Sequence, residues 1–250
     1  MEKNSPDSTK PQTTLLRPEI THLPRLTFGR RLFRRLLHWL AYGLVWLATN
    51  STVSGLENFP EHGPLLIVTN HLGDADAVLA LANFPRQIDA LAKAELYDYP
   101  ILSLVMRTYG VIWVHRGRPD RRALKAALEG LASNRMIGVA PEGRESITGA
   151  LEEGTSGAAY LALKSGSPLL PVTFTGTENR IIYKNMMRFK RSPVTITIGK
   201  IFTLDGSSDW KENLETATDQ IMRTLASQLP IEYQGVYAQD LKVEHANQEH

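Results

Sequence analysis

Pro64-Leu65-Leu66-Ile67-Val68-Thr69-Asn70-His71-Leu72-Gly73-Asp74-Ala75-Asp76 changes character once, at Asn70. Residues 64–69 form an apolar, strand-like run closed by β-branched side chains. From Ala75 the chain reads as a helix through residue 82. A buried strand that passes through a short polar turn into a helix is the building unit of an α/β fold. The turn leaves His71 at the strand's end, with Asp76 about one helical turn beyond it. A carboxylate so placed can hold one imidazole nitrogen and leave the other free to take a proton from a hydroxyl. A His–Asp pair also serves as a satisfied turn, and Asp74 competes for the ring, so this stretch alone leaves both readings open.

Outward from this unit the alternation continues. Strands are expected at 65–69, 88–92, 111–115, 136–140, 169–175 and 194–198, and helices at 75–82, 101–109, 121–132, 156–164 and 210–228. Asp120 precedes Ala123, Leu124, Ala127, Leu128 and Leu131, an apolar face at helical spacing. Ser156 can cap the next helix, which Gly166 and Pro168 end; Asp209 starts the last helix and Pro230 stops it. The fold expected is α/β, a mixed, largely parallel sheet flanked by helices. Ligands of such sheets gather at the carboxyl ends of the strands. His71, Arg116 and Glu142 each follow or close a predicted strand, so three separated residues can converge there.

A second block, Gly138-Val139-Ala140-Pro141-Glu142-Gly143-Arg144-Glu145-Ser146, runs from a strand into a turn. Gly143 permits a backbone conformation that a side chain hinders and lets a ligand approach closely. Arg144 offers a planar fork of donors for a phosphate or carboxylate. Ser146 can cap or bind. A charged surface turn has the same composition.

Taken together, the two blocks resemble the glycerolipid acyltransferase family, of the 1-acylglycerol-3-phosphate acyltransferase type. The family's first motif, Asn-His-x-Ser-x-x-Asp, is matched at Asn70, His71 and Asp76, and its Pro-Glu-Gly-Thr-Arg-Ser motif at Pro141, Glu142, Gly143 and Ser146. Between them, Gly110-Val111-Ile112-Trp113-Val114-His115-Arg116 resembles a family strand that ends in arginine, and Ala92-Lys93-Ala94-Glu95-Leu96 its lysine–glutamate stretch. Residues 157–162 and 168–172 resemble the following helix and the last motif, so the likeness spans about 55–205 in order. The chain departs from the family in three places. Gly73 stands for a serine or threonine, Arg144-Glu145 for Thr-Arg, and His115 for a carboxylate or small polar residue.

The resemblance implies an O-acyltransferase that moves a fatty acyl group from acyl-CoA or acyl-carrier protein to a lysophospholipid such as lysophosphatidic acid. It implies His71 as general base, Asp76 as the group that orients it, and no acyl-enzyme. Arg116 would grip the acceptor phosphate with Lys93 and Arg144 as helpers, and Glu142 would hold the glycerol or order the arginines. No cofactor or metal is implied beyond the thioester co-substrate. Glycerol-3-phosphate or a glycolipid are alternative acceptors, and a peripheral lipid-binding protein of the same fold is the non-enzymatic alternative.

Composition narrows the field further. The chain has 250 residues and no cysteine, which excludes a disulfide scaffold, a Cys-rich zinc site and an acyl-cysteine intermediate, and suits a reducing compartment. His71 and Asp76 lack zinc-ligand spacing. A net charge of +2 gives no reason to expect nucleic acid as a partner. Gly154-Thr155-Ser156-Gly157-Ala158 lacks the final glycine and the preceding strand of a nucleophile elbow.

Charge is unevenly distributed. Arg17, Arg25, Arg30, Arg31, Arg34 and Arg35 face a single acid, Glu19, before His38. Phe33, Leu36, Leu37, Leu40, Leu44 and Leu47 fall at helical spacing beyond and between them, with the arginines expected around the other side. Residues 29–54 are therefore expected as a basic amphipathic helix at a membrane interface, with packing on the domain or a dimer contact as alternatives. Residues 1–28 are expected as a flexible segment, 55–230 as the catalytic domain and 231–250 as a loose polar tail. No stretch has the ~18 apolar residues of a spanning helix, so the expected location is peripheral, on the cytoplasmic side of a membrane.

Overall fold

Alternate residues of β2 (Leu65–Thr69) enter opposite layers: Leu66 and Val68 join one apolar cluster, Leu65 and Ile67 another. A strand buried this way needs helices on both sides. In the computed structural model, which describes residues 17–115, 117, 119–204 and 213–238, it has them. On one face lie α4 (Arg121–Ala132), α5 (Gly157–Ser165) and α7 (Asn213–Ala226). On the other lie α1 (Phe28–Ala48), α2 (Ala75–Asn83) and α6 (Asn179–Met186), with α3 (Pro100–Tyr109) packed beside α1.

The sheet runs β1-β7-β6-β2-β5-β3-β4, with β1 (Thr49–Ser54), β3 (Ile88–Lys93), β4 (Ile112–Val114), β5 (Met136–Val139), β6 (Leu169–Thr175) and β7 (Ser192–Ile198). From β6 to β4 every pairing is parallel; β7 turns antiparallel to β6, and β1 follows β7 in parallel. The carboxyl ends of β2, β3, β4, β5 and β6 thus share one edge, as a mixed, largely parallel sheet requires.

Two elements depart from the sequence expectation. The N-terminal helix stops at Ala48, and residues 49–54 are a strand. Thr-Asn-Ser-Thr-Val-Ser is a poor helix former, and β7 offers it an open edge on which to pair. The second is α6, whose single buried residue, Ile182, gives too thin an apolar face to read from sequence.

Two of the four arginines of α1 turn inward, against expectation, while Arg31 and Arg35 stay exposed. Arg34 is 1% exposed and donates to Asp89 at 2.5 Å and to the carbonyls of Tyr109 and Gly110 at 2.8 and 3.1 Å. Arg30 donates to the carbonyls of Thr108 and Arg107. Both guanidiniums thereby satisfy the free carbonyls at the end of α3, where the helix dipole favours a cation. Asp89 also pairs with Arg135, so one buried carboxylate bridges two guanidiniums in an Arg34–Asp89–Arg135 cluster. With Arg30 and Arg34 turned inward, Leu32, Leu36, Trp39, Leu40, Leu44 and Leu47 are left exposed. Among the described residues no helix is long and apolar enough to cross a membrane.

Residues 17–20 and 231–237 pack on the domain, while residues 1–16 and 239–250 of the expected flexible segment and polar tail lie outside the described residues. Ile20 is buried, and the backbone N–H of Arg17 donates to His115 Nε2 at 3.1 Å. At the other end, residues 231–237 form two short 3-10 turns. There Tyr233 accepts from Gly176 N–H and donates to Glu178, and Tyr237 accepts from Gly154 N–H.

Candidate active site

Where β2 ends, a side chain continues the ladder. Asn70 Nδ2 donates to the carbonyl of Phe174 at 2.9 Å, and its Oδ1 accepts the Phe174 N–H at 2.8 Å. This locks β2 to β6 one residue past their last backbone pairing and fixes where His71 leaves the sheet. The β5–α5 loop then holds both backbone groups of His71: Glu142 Oε2 accepts its N–H at 3.2 Å, and Ser146 N–H donates to its carbonyl at 2.7 Å.

The ring is oriented from the opposite side. Asp76 Oδ2 lies 2.8 Å from His71 Nδ1 and also accepts the N–H groups of Leu72 and Gly73 at 2.8 and 3.1 Å. A carboxylate only accepts, so Nδ1 carries the proton and Nε2 is the basic nitrogen. Asp74 does not compete: it accepts from Tyr183 instead. The His71 side chain keeps 22% of its surface exposed. Among the described residues Nε2 makes no hydrogen bond; Glu145 Oε1 lies 4.0 Å from it, outside hydrogen-bonding distance. The arrangement can accept a proton at Nε2 and hold the resulting imidazolium against Asp76.

Glu142 is buried, and its oxygens are spoken for by backbone: Oε2 by His71 N–H and Oε1 by Glu152 N–H at 2.9 Å. Burial pushes its carboxyl up to about 7, although those two N–H groups oppose the shift. In this structure Glu142 positions the His71 backbone through its N–H. Gly143, at φ 73, makes the turn behind Glu142 in the left-handed region that glycine tolerates. Arg144 points away to Glu152 Oε2 at 2.6 Å. Lys93, at the end of β3 and two strands from His71 (about 10 Å by strand spacing), has no hydrogen bond or ion pair among the described residues. Arg116 lies outside the described residues.

Several contributors escaped sequence reasoning. Asn179, at the start of α6, donates to Glu145 at 3.0 Å and accepts the Asp74 N–H at 2.9 Å. It also explains Gly73: a Cβ there would lie 2.6 Å from Asn179 Oδ1 and 2.6 Å from the Thr177 carbonyl, so the site has no room for a serine. Asn179 carries no local signal, because its partners are far along the chain. A second pair, His115 with Asp120, repeats the spacing of the first, with Nδ1 3.0 Å from Asp120 Oδ2. Asp120 also caps α4 through Arg122 and Ala123 N–H. Among the described residues no cluster of three His, Cys, Asp or Glu side chains offers a metal site.

Comparison with known proteins gives consistent matches. The Acyltransferase family model matches residues 50–175. A 1-acyl-sn-glycerol-3-phosphate acyltransferase of Borreliella burgdorferi is 33% identical over 187 residues, covering 72% of this chain and 74% of that protein. One from Cocos nucifera is 28% identical over 68% of this chain, which spans 54% of that longer protein. The crystal structure of the 1-acyl-sn-glycerophosphate acyltransferase PlsC from Thermotoga maritima shares the fold. Its TM-score is 0.60 at 24% identity, covering 79% of this chain and 81% of that one.

Proposed function

The chain belongs to the acyltransferase family, and we propose that it transfers a fatty acyl group from acyl-CoA or acyl-carrier protein to the free hydroxyl of lysophosphatidic acid. One observation carries the mechanism: His71 is fixed at its backbone by Glu142 and Ser146 and at Nδ1 by Asp76, while Nε2 stays open. Nε2 takes the acceptor's hydroxyl proton as the oxygen attacks the thioester carbonyl. The C–S bond breaks, and the thiolate leaves with the proton returned from the imidazolium. Asp76 keeps the ring in the productive tautomer and stabilises its charged form. No acyl-enzyme and no cofactor enter the cycle.

The acceptor phosphate is gripped by Lys93, at the carboxyl end of β3, and by Arg116. The pairing of Arg144 with Glu152 leaves it a smaller share of this work than the sequence suggested. The enzyme attaches peripherally to the cytoplasmic side of a membrane through the outward leucines and tryptophans of α1, an apolar surface larger than isolated side chains account for.

The test is transfer of labelled palmitoyl and oleoyl groups from CoA and from carrier protein, comparing wild type with His71→Ala. The acceptors are lysophosphatidate, glycerol-3-phosphate, other lysolipids and none. Histidine-dependent labelling of lysophosphatidate is the expected result. A folded His71→Ala protein with wild-type transfer sinks the mechanism, and firm vesicle binding without transfer turns the reading to lipid binding.

A further inference from the structure

Residues 179–204 contain Arg180, Lys184, Arg188, Lys190, Arg191 and Lys200 and no Asp or Glu. Within this basic stretch, α6 ends in a tight turn. Arg188 N–H and Lys190 N–H close back on the Asn185 carbonyl, and Phe189 N–H on that of Met186. The turn places Phe189 at φ 52, a left-handed conformation that costs a side-chain-bearing residue and that Gly or Asn takes more cheaply. It also leaves Phe189 100% exposed and Met187 84% exposed, with Met186 half exposed beside them. Among the described residues nothing repays a strained turn that lifts an aromatic ring into solvent.

We propose that this tip, Met186 to Arg191, inserts into the surface of an anionic phospholipid membrane, as a second anchor separate from the face of α1. Apolar side chains at the apex with arginines and lysine around them match a bilayer boundary, where the ring enters the acyl region and the cations meet lipid phosphates. The tip is continuous with the outer face of α1. Arg191 lies over the Trp46 ring, 5.8 Å from its centroid, and donates to the Thr49 carbonyl at 2.8 Å. At its other end α6 begins with Asn179, which holds Glu145 and Asp74 beside His71. Eight residues of helix, about 12 Å, therefore join the inserted tip to the mouth of the site. Two anchors define an orientation, which one helix lying in the surface cannot, and they turn His71 toward a lipid acceptor.

The proposal deepens the lipid-surface reading, and the experiment separates the two. Because the chain has no cysteine, single-cysteine variants can each carry one environment-sensitive fluorophore. Phe189→Cys reports on the tip, Leu36→Cys on α1 and Ser227→Cys on the far side of the sheet, with phosphatidylglycerol vesicles and with phosphatidylcholine vesicles. A blue shift and intensity gain at 189 and 36, none at 227, and a weaker response with phosphatidylcholine are expected. A response at 36 without one at 189 overturns the tip and leaves peripheral attachment standing; silence at both overturns both.

Phe189→Ser is expected to weaken binding to anionic vesicles about tenfold, and Arg188→Gln with Lys190→Gln about fivefold for each charge removed. Transfer to a short-chain, water-soluble lysophosphatidate is expected to stay unchanged while transfer to a long-chain acceptor in vesicles falls. Unchanged vesicle binding by Phe189→Ser also overturns the proposal.

Discussion

Two histidines in this molecule share one local design and have opposite surroundings. His71 follows β2 and His115 follows β4; each has an aspartate five residues on, at the start of a helix, that contacts Nδ1 at 2.8 and 3.0 Å respectively. The other ring nitrogen separates them. His115 Nε2 accepts the backbone N–H of Arg17, 98 residues away, and the residue is buried. That ring donates at one nitrogen and accepts at the other, which satisfies it as a neutral structural group. Among the described residues His71 Nε2 has no hydrogen-bond partner; Glu145 Oε1 lies 4.0 Å away, and the side chain stays partly accessible. The spacing builds an oriented imidazole in both places. Whether its second nitrogen is left open to accept a proton or is closed into a clasp depends on what a distant segment lays against it.

The largest effect expected of this contrast is kinetic. His71→Ala should lower single-turnover acyl transfer about 10²–10⁴-fold with its circular dichroism unchanged. His115→Ala should lower stability while each folded molecule turns over nearly as before. Comparable kinetic losses in the two variants would break the comparison.

Next comes the pH response of the carboxylate that holds His71. The folded state raises Glu142 to about 7 from an ordinary 4.5. Between those values the native protein keeps a proton that the unfolded chain releases, so this contribution is complete below pH 4.5 and is lost as pH rises through 7. The stability advantage of wild type over Glu142→Gln should therefore shrink by about 3 kcal/mol from pH 4.5 to pH 8, measured by urea denaturation. A constant difference would mean that residue 142 does not titrate there.

The clasp has its own carboxylate. Burial would raise Asp120, but hydrogen bonds from the His115 N–H and ring, and from Ala123 and Arg122 N–H, hold it below the usual range. Asp120→Ala removes a helix cap and orphans the His115 N–H, and should cost about 2 kcal/mol of stability with little change in transfer per folded molecule. A kinetic defect as deep as that of Asp76→Asn would show that the second pair also serves the chemistry.

The smallest effect tests the packing around the first pair. Gly73→Ala puts a methyl against the Thr177 carbonyl and Asn179, and should cost roughly 1–2 kcal/mol by denaturant unfolding. A neutral outcome would show that α6 can draw back from the His71 turn.

Much of the sheet was legible because its strands are short apolar runs that the chain itself brackets: β2 and β6 were located to the residue, and α4 was announced by Asp120 and its apolar face. The edge strand β4 was legible too, but its counterpart β1 was not. β1 is polar because one of its sides faces solvent, and its strand character comes from β7, whose paired residues lie 143 positions later. The inward turn of Arg30 and Arg34 was equally hidden, since a helical wheel shows which residues share a face but not which face meets water. Asp89 and the end of α3 settled that. At the site, His71 and Asp76 were visible as a pair, whereas the double hold of Glu142 on two N–H groups and the place of Asn179 were not.

Sequence alone therefore determined what acts over a few residues: the alternation of strands and helices, the His71–Asp76 spacing, and Gly143 in its turn. Those follow from side-chain periodicity and local backbone preference, which each segment carries with it. Tertiary structure decided what depends on partners brought from afar: which histidine keeps a free nitrogen, which carboxylate positions backbone, and which face of α1 is left bare. Hydrogen bonds and buried charges gain their strength from the low-dielectric surroundings that only the assembled fold provides.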